Sequence, residues 1–445
     1  MKTFYKLLAV ALLTTTTNNF VWFALTYWVY LETKSVISTS TTGGIWLVTA
    51  ALSSIWFGAV VDRYKKKHAM LGSSVATLIL FIIGFIVLKT NPDSVFTSVN
   101  SPTLWVFALM LLFGIIAGSI YQIAIPTLVA VIVPKDKRDR ANGMFGTVIG
   151  ISFAITSVAS GLVLAYGGMY WILVTAIICT LIAIVFLSLI TIPDDKVKVA
   201  VSPTHSAHQL LQDGHLPRGK QIDFKGTIAA ISAVPGLFAL IFFTTFNNFL
   251  GGVFMALMDA YGLTLVSVKV WGILWGFLSF GFIFGGLYIA KKGLGNSPIS
   301  TLFKINIVLW IVCIFFTIQA SIVLLAIGCL IWMSFVPFIE AIEQTVFQKV
   351  VPPERLGRVF GFAHSIEQAA SPLTAFFIGP IAQFFFIPFM TTGKGVELIG
   401  SWFGSGTGRG IALVFILAGL IGLSVTLVAR KSNSYKLLAK RYSSA

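Results

Sequence analysis

Charge is what this sequence has least of. Asp, Glu, Lys and Arg together make up 10% of the 445 residues, whereas hydrophobic residues make up 57%. Soluble domains carry about 25% charged residues, and the mean hydropathy here is +0.93. A chain with so much apolar surface cannot bury it in a water-soluble core. This excludes soluble enzymes and nucleic-acid-binding proteins, and it predicts an integral protein of the lipid bilayer.

Cysteines and catalytic patterns are also scarce. The three cysteines, Cys179, Cys313 and Cys329, lie in apolar segments without the spacing of a disulfide framework or a zinc site. There is no phosphate-binding glycine loop, no HExxH pattern and no Ser/His/Asp arrangement. These absences argue against an ATP-driven pump and against an enzyme, so we expect no cofactor, no metal ion and no catalytic residue.

Long apolar runs are what the sequence has in quantity. A spanning helix needs about 20 mostly apolar residues. The first run follows Lys2 and Lys6 as in a signal peptide, but it continues to about Leu31, which predicts a retained span. The predicted spans, numbered 1 to 12 in chain order, are 7–31, 43–62, 69–88, 103–133, 142–166, 170–192, 227–258, 268–290, 299–318, 321–349, 359–388 and 408–430.

The positions of Lys and Arg predict the orientation in the membrane. With both termini in the cytoplasm, 25 of the 31 Lys and Arg residues fall in cytoplasmic segments and 5 in outer loops, while Lys304 lies within a span. Cytoplasmic loops of membrane proteins carry such an excess of basic residues. The net charge of +16 is therefore interpreted as a property of these loops and not as a nucleic-acid-binding surface.

Polar segments predict the domain boundaries. The longest, 193–226, contains His205, His208 and His215, which could in principle hold zinc, but a solvated linker is the favoured interpretation. The basic tail could contact anionic lipid headgroups, although a solvated end is favoured. The predicted parts are an N-terminal six-helix bundle at 1–192, a cytoplasmic linker at 193–226, a C-terminal six-helix bundle at 227–430 and the tail at 431–445.

The two halves of the chain resemble each other. Span 1 contains TTNNFVWFAL and span 7 contains TFNNFLGGVF. After span 4 the chain reads VPKDKRDRANG, from Val133 to Gly143, and after span 10 it reads VPPERLGRVFG, from Val351 to Gly361. Repeats six helices apart with the same orientation are typical of transporters built from two bundles.

A family resemblance lies between spans 2 and 3, in GAVVDRYKKK from Gly58 to Lys67. This stretch resembles the loop motif of the major facilitator superfamily, with Lys65 in place of the motif's second glycine. VPPERLGRVFGF is similar to the macrolide-efflux and siderophore-exporter branch. The resemblance implies an all-α membrane protein with twelve transmembrane helices in two pseudo-symmetric six-helix bundles.

Two features depart from the drug/proton antiporters of that family. Many of them carry an arginine in the middle of helix 4, where this chain has Gly114, and a Gly-Pro motif in helix 5, where this chain reads GISFAITSVASGLVL. Both departures weaken an antiporter interpretation and leave the proton chemistry unassigned.

The loop motif predicts a conformational latch between the bundles. Glycine permits close helix approach, and an acid at a helix end can face a positive helix N-terminus or an arginine. In the second half Ile289 stands in the place of the acid, so the latch would be asymmetric. The alternative is a simple basic membrane anchor. The candidate latch residues are Gly58, Asp62, Arg63, Arg138, Arg140 and Arg358.

Three acids lie well inside predicted spans: Glu340, Glu343 and Glu367. An acid at a helix centre costs about 2.5–3.5 kcal/mol on insertion scales, so such residues face a water-filled cavity, pair with a partner or hold a proton. Glu340 and Glu367 each lie nine residues, roughly 14 Å, from the nearest basic residue at the cytoplasmic end of their span. Together with His364 they are candidates for proton coupling or for binding a cationic substrate; the alternative is a static polar contact between spans 10 and 11.

Other polar residues lie where the resemblance places a central cavity, in spans 1, 4, 7 and 10. Amides and aromatics with few charges suit amphipathic compounds, although hydrogen bonding between helices explains the asparagines equally well. The candidate cavity residues are Asn18, Asn19, Trp22, Gln122, Asn247 and Asn248.

The resemblance implies a multi-pass secondary transporter of the bacterial cell membrane that rocks its bundles around a central site. Proton-coupled export of a small amphipathic drug, siderophore or metabolite is the first hypothesis, with the small molecule and protons as partners, no nucleic acid and a monomeric protein. Uptake or flipping of a metabolite or lipid is the alternative. A non-transporting receptor or scaffold is a third, which the short outer loops disfavour.

Overall fold

The computed structural model describes residues 2–33, 36–192 and 224–444. The zinc alternative at His205, His208 and His215, and most of the predicted linker, lie outside these ranges. Within them the chain is almost entirely helical and contains no strand. Eleven helical stretches are long and apolar enough to span a membrane.

One of those stretches crosses twice. Lys135–Leu189 contains 55 residues, whereas about 20 residues span the hydrocarbon core. The helix breaks at Gly168, whose φ of +67° is a conformation that glycine adopts without the steric cost of a side chain. The described part therefore contains the twelve spanning helices that the sequence predicts.

We number the spanning helices α1 to α12. Most are continuous, but α4 is interrupted at Ser119 and Ile120 and α8 at Ser279. The helices are α1 (Lys2–Thr33), α2 (Val36–Arg63), α3 (Lys66–Thr90), α4 (Pro102–Gly118 and Tyr121–Ile132), α5 (138–167), α6 (169–189), α7 (Leu237–Leu265), α8 (Val268–Leu278 and Phe280–Lys292), α9 (Pro298–Phe315), α10 (Ile322–Val350), α11 (Leu356–Ile381) and α12 (Thr407–Lys431).

Short elements connect or extend these helices. Helix α11 continues through a π-helical turn, Ala382–Phe386, into Ile387–Thr391. Three further α-helices do not span the membrane. Lys394–Phe403 and Asn433–Ser444 lie outside the predicted spans, and Phe224–Ser232 overlaps the start of predicted span 7, so that α7 begins later, at Leu237. Because the crossings are even in number, α1 begins and α12 ends at the same side of the membrane, which we call the termini face.

The helices form two bundles, α1–α6 and α7–α12. In the first, α1 packs against α5 and α6, and α3 packs against α4 and α6; in the second, α7 packs against α11 and α12, and α9 against α12. The bundles meet along two seams, α2 with α11 and α5 with α8. The half-repeat relates these seams, since α2 corresponds to α8 and α11 to α5. This is the architecture that the family resemblance implies.

Glycines let the seams close. A Cβ atom on Gly58 of α2 would collide with the backbone carbonyl of Gly357 in α11. In the other seam, a Cβ atom on Gly143 of α5 would overlap the side chain of Ile289 in α8. Small residues allow helix backbones to approach closely in membranes, so these positions set the spacing of the two bundles.

The tail is packed, contrary to the solvated end that the sequence favoured. In the helix Asn433–Ser444, Tyr435 and Leu438 lie on one face and are buried. The Tyr435 hydroxyl donates a hydrogen bond of 2.6 Å to the carbonyl of Ala239 in α7. Their i, i+3 spacing places both side chains against the C-terminal bundle, while Lys436, Lys440 and Arg441 remain exposed.

Candidate functional site

A cavity of about 990 Å³ lies between the two bundles. Helices α1, α4 and α5 line one side, and α7 to α11 line the other. It begins near Phe347 and Phe360, close to the termini face, and reaches Tyr27 and Asp259 toward the opposite ends of α1 and α7. Tyr27 is 41% exposed there. The cavity therefore opens toward the face opposite the termini.

One contact that closes the termini face joins α2 to the start of α11. The Asp62 carboxylate accepts the backbone N–H groups of Gly357, at 2.7 Å, and Arg358, at 2.9 Å. Its Oδ2 atom also lies 3.7 Å from the Arg358 guanidinium. The Asp62 side chain is only 2% exposed, and the helix N-terminus supplies both orphan donors and a favourable dipole for this carboxylate.

The other predicted latch residues have different partners. Arg63 extends over the ring of Tyr64, and Arg140 is exposed. Arg138 donates to the carbonyls of Ala130 and Val133 and, across the bundles, to the Gln348 carbonyl at 2.8 Å. Of the predicted arginines, Arg358 is the one that the structure brings to Asp62.

The second seam also contains an acid, from an unexpected position. Asp139, at the start of α5, accepts the backbone N–H of Leu294 at 2.9 Å, just beyond α8. In the aligned repeats Asp139 corresponds to Gly357, and Ile289 corresponds to Asp62. The acid of this seam is therefore on α5, the counterpart of α11, whereas the acid of the first seam is on α2. Each seam contains an acid, and the two seams differ in which helix carries it.

A buried amide pair links α5 to α10 close to the termini face. Asn142 donates to Gln348 Oε1 at 3.0 Å, and Gln348 donates to Asn142 Oδ1 at 3.0 Å. The second N–H of each amide is also used: Asn142 donates to Thr345 and Gln348 to the Pro126 carbonyl. This fully bonded network holds α4, α5 and α10 together.

The three intramembrane acids lie at the cavity. Thr244 of α7 places its hydroxyl 2.6 Å from Glu367 Oε1 and 3.2 Å from Glu343 Oε1. The Thr244 hydroxyl therefore brings the carboxyl groups of Glu343 and Glu367 together. Glu340 lines the cavity one helical turn before Glu343. The cluster therefore joins α7, α10 and α11.

His364 lies next to this cluster without bonding to it. It lines the same cavity about one turn from Glu367 on α11, and in the described structure its ring forms no hydrogen bond with the three carboxyl groups. The sequence left open a His–acid pair that holds α10 and α11 together. In the structure the acids of these two helices are instead connected through the Thr244 hydroxyl of α7.

The charge of the cavity has one sign. Of the described residues that line it, four are acidic, namely Asp259, Glu340, Glu343 and Glu367, and none is Lys or Arg. Aromatic and sulfur-containing side chains make up much of the remaining wall. They include Phe153, Phe254, Met255, Met258, Trp275, Trp310, Trp332 and Met333.

Three of the six candidate cavity residues line the cavity. Gln122, Asn247 and Asn248 line the cavity, and Asn247 Oδ1 accepts the Trp310 indole N–H at 3.1 Å. Beyond this contact the cavity continues into the C-terminal bundle, past Cys313 and other apolar residues of α9 and α10.

The span 1 candidates lie elsewhere. Asn18 is buried against Gly118, in a small polar pocket with Thr14, Thr17 and Ser74. Asn19 donates to the Ser152 hydroxyl at 3.1 Å, and the rings of Trp22 and Trp46 are in contact. These three residues join helices within the N-terminal bundle, which is the alternative that the sequence left open. Asn18 and Trp22 face other helices of that bundle, whereas Asn19 shares the face of Phe23 and Tyr27 but is bonded to Ser152 of α5.

Several residues at the site were not singled out from the sequence. Thr244 directly precedes the repeated TFNN segment, and Asn142 lies in the repeated loop segment, so the internal repeat pointed to the neighbourhood of both. Asp259 and Trp275 carried no such signal, since an acid near a helix end is ordinary in a membrane protein.

Comparison with known proteins agrees with this geometry. The sequence profile of the Major Facilitator Superfamily matches residues 7–375. Macrolide efflux protein A of Streptococcus pyogenes is 22% identical over 382 residues, covering 83% of this chain and 87% of that protein. Macrolide efflux protein A of Enterococcus faecalis is 23% identical, covering 71% of this chain and 92% of that protein.

Solved structures share the fold. A bacterial homologue of the iron transporter ferroportin, in an outward-facing state with soaked iron, aligns with a TM-score of 0.66 at 13% identity, over 96% of this chain and 99% of that one. The proton:xylose symporter XylE aligns with a TM-score of 0.62 at 13% identity, over 94% of both chains. With its twelve helices and the family profile extending over most of its length, the chain belongs to the Major Facilitator Superfamily and is a membrane transporter of small molecules, not an enzyme.

Proposed function

We propose that this protein exports amphipathic compounds from the cell in exchange for protons. The observation that carries the proposal is the cluster of Glu343, Glu367 and Thr244 at a cavity with four acids and no Lys or Arg among its described lining residues. Glu340 adds a third carboxyl group within about one helical turn.

The cluster has the chemistry of a proton-loading site. A hydrogen bond between two carboxyl groups requires a proton on one of them, because two carboxylates offer only acceptors. Closely spaced carboxyl groups share protons instead of ionising together. Glu343 and Glu367 approach the same Thr244 hydroxyl, so we expect one of the two to hold a proton in this arrangement, and loss of that proton would leave two negative charges close together. Transport coupling needs such a pair of states.

The cavity suits a large amphipathic substrate. Pockets that bind drug-sized ligands measure about 300–1,000 Å³, and this cavity of about 990 Å³ is at the upper end. Its aromatic and Met side chains favour apolar rings, while Gln122, Asn247 and Asn248 offer hydrogen bonds. Since two relatives are named macrolide efflux proteins, macrolides are the first compounds to test.

Export is the favoured direction for two reasons. The relatives are named for efflux, and the excess of Lys and Arg at the termini face favours a cytoplasmic location for that face. In that orientation the present cavity opens to the outside, as in a state that releases an exported compound and takes up a proton. We further propose that the protein acts as a monomer in the bacterial cell membrane.

Reconstituted liposomes test the proposal. Purified protein is placed in vesicles with an imposed pH gradient, and uptake of a labelled macrolide is compared for Glu340→Gln, Glu343→Gln and Glu367→Gln. Glu354→Gln, an exposed acid in the loop before α11, is the matched control. We expect Glu343→Gln and Glu367→Gln to lose gradient-driven transport while Glu354→Gln keeps it. Full gradient-driven transport in all three cavity variants would overturn the proton-coupled mechanism.

A further inference from the structure

An acid and two indoles meet at the outer end of the cavity. Asp259 of α7 is exposed, and its Oδ1 atom accepts the indole N–H of Trp271 at 2.9 Å and that of Trp275 at 3.3 Å. The two indole rings are 5.8 Å apart and nearly perpendicular. Asp259 and Trp275 both line the cavity. Two neutral donors thus fix the orientation of the carboxylate without cancelling its charge.

Among the side chains that the structure describes, no basic group forms an ion pair with Asp259, and the ion pair found among them joins Asp62 to Arg358. The other acids of the cavity wall lie far from it. Fifteen residues of α7 separate Asp259 from Thr244, which corresponds to about 22 Å along the helix axis. Asp259 is therefore a separate negative charge near the mouth.

One face of α7 connects the inner carboxyl groups with Asp259 at the outer end of the cavity. From Thr244 to Asp259 the face of α7 that lines the cavity runs through Asn248, Gly251, Met255 and Met258, with the three-to-four-residue spacing of one helix face. A small residue and two flexible thioethers offer little steric hindrance to a bulky compound, since Met adapts its shape to its surroundings.

We propose that Asp259 and Trp275 form an outer cation site that takes the charged centre of an organic cation as it passes between the inner carboxyl groups and the outside. The carboxylate supplies the countercharge. Trp provides the aromatic face that attracts cations most strongly, within about 6 Å of the ring centroid. The substrate class is a lipophilic cation with a quaternary or protonated amine or a phosphonium centre. The site rests on the proposed transport function, but its binding chemistry is independent of the proton step.

Equilibrium binding tests this site without a pH gradient. The protein in nanodiscs is titrated with methyltriphenylphosphonium, a permanent cation, and with triphenylphosphine oxide, an uncharged compound with the same rings. We expect Asp259→Asn to weaken binding of the cation about fivefold, the scale of a solvent-accessible ion pair, and to leave the uncharged compound unchanged. Trp275→Phe keeps an aromatic ring but loses the indole N–H, so we expect a smaller loss confined to the cation.

The matched control is Asp93→Asn. Asp93 is an exposed acid between α3 and α4, at the same membrane face and outside the cavity lining. Equal weakening by Asp93→Asn and Asp259→Asn would reduce the effect to general surface charge and overturn the proposal. An unchanged affinity of Asp259→Asn for the cation, with a normal unfolding temperature, would overturn it as well.

The outcome separates this site from the proton mechanism. If the glutamine variants of Glu343 and Glu367 retain gradient-driven transport but Asp259→Asn weakens cation binding, the outer site stands and the coupling proposal fails. If those glutamine variants lose transport but Asp259→Asn binds the cation as the wild type does, the coupling proposal stands and the outer site fails.

Discussion

The Oδ1 atom of Asp62 lies 2.7 Å from the backbone nitrogen of Gly357, so a carboxylate from one bundle caps the first turn of a helix in the other. The same carboxylate accepts the next backbone N–H and faces the Arg358 guanidinium. These contacts are possible only while the bundles touch at the termini face. We therefore propose that Asp62 stabilises the conformation that opens the cavity to the opposite face.

Asp62→Asn tests this latch. The asparagine oxygen can accept one N–H, but the amide nitrogen offers a donor to the other, so the conformation with the termini face closed loses a charge-assisted interaction of about 1.5–3 kcal/mol. We expect a population with the termini face open, seen by electron–electron distance measurement between spin labels at Lys137 and Arg355, which are exposed on opposite bundles. Asp136→Asn, an exposed acid of the α4–α5 loop, should leave the distances unchanged. Identical distance distributions for both variants would contradict the latch.

The hydrogen-bonded amides of Asn142 and Gln348 predict that substitutions at these two residues have coupled effects. Asn142→Leu leaves Gln348 with unsatisfied polar atoms in a buried contact, and Gln348→Leu does the same to Asn142. Each single change is expected to destabilise the conformation with the termini face closed by about 1–3 kcal/mol. Replacing both by leucine removes the unsatisfied groups, so the double variant should be less affected than the two single effects added together. Populations from the same spin-label distances give the coupling energy. Simple additivity would show that the two amides act independently.

The contacts of Thr244 predict that gradient-driven transport depends on its hydroxyl group. Its side chain contacts Glu343 and Glu367, so Thr244→Val keeps the shape and removes the hydrogen bonds. We expect gradient-driven transport to fall by about tenfold, equivalent to roughly 1.4 kcal/mol, and Thr244→Ser to restore most of it. The neighbouring Thr245 has a buried hydroxyl without a hydrogen-bond partner in the described structure, which makes Thr245→Val the control. Equal rates for the two valine variants would contradict the role of the Thr244 hydroxyl.

The tail helix predicts a contribution to stability. Burial raises the pKa of the Tyr435 phenol, so its hydroxyl remains protonated and donates to the Ala239 carbonyl. We expect Tyr435→Phe to cost about 1 kcal/mol and Leu438→Ala about 2–4 kcal/mol, measured as lower unfolding temperatures in detergent. Ser443→Ala, at an exposed position, should have no effect. An unchanged unfolding temperature for Leu438→Ala would contradict the packed arrangement.

Much of the fold was predictable because the membrane imposes simple rules. Apolar length gave the twelve crossings, and the half-repeat gave two bundles. The break at Gly168 falls in the gap predicted between spans 5 and 6, whereas the interruptions of α4 and α8 depend on local backbone conformation and tertiary packing, which hydropathy does not encode. The tail helix was missed because Tyr435 and Leu438 are too few to distinguish a packed amphipathic helix from a solvated one.

The site was predictable where the energetic cost was high. Glu340, Glu343 and Glu367 were recognisable because a buried acid in a membrane helix is expensive, and all three lie at the cavity. Asn18 and Asn19 carried a weaker signal, since an amide in a helix can face a neighbour or a cavity at similar cost. Tertiary packing decided the outcome: Asn18 lies against Gly118, and Asn19 is bonded to Ser152.

The central claim is that substrate export and proton movement are one coupled process at Glu343 and Glu367. The most direct measurement adds a macrolide to proteoliposomes without an imposed gradient and follows the internal pH with a trapped dye. Coupled exchange predicts a substrate-dependent pH change with the wild-type protein and none with Glu343→Gln/Glu367→Gln. Substrate movement without any pH change in the wild type, or an equal pH change in the double variant, would contradict it.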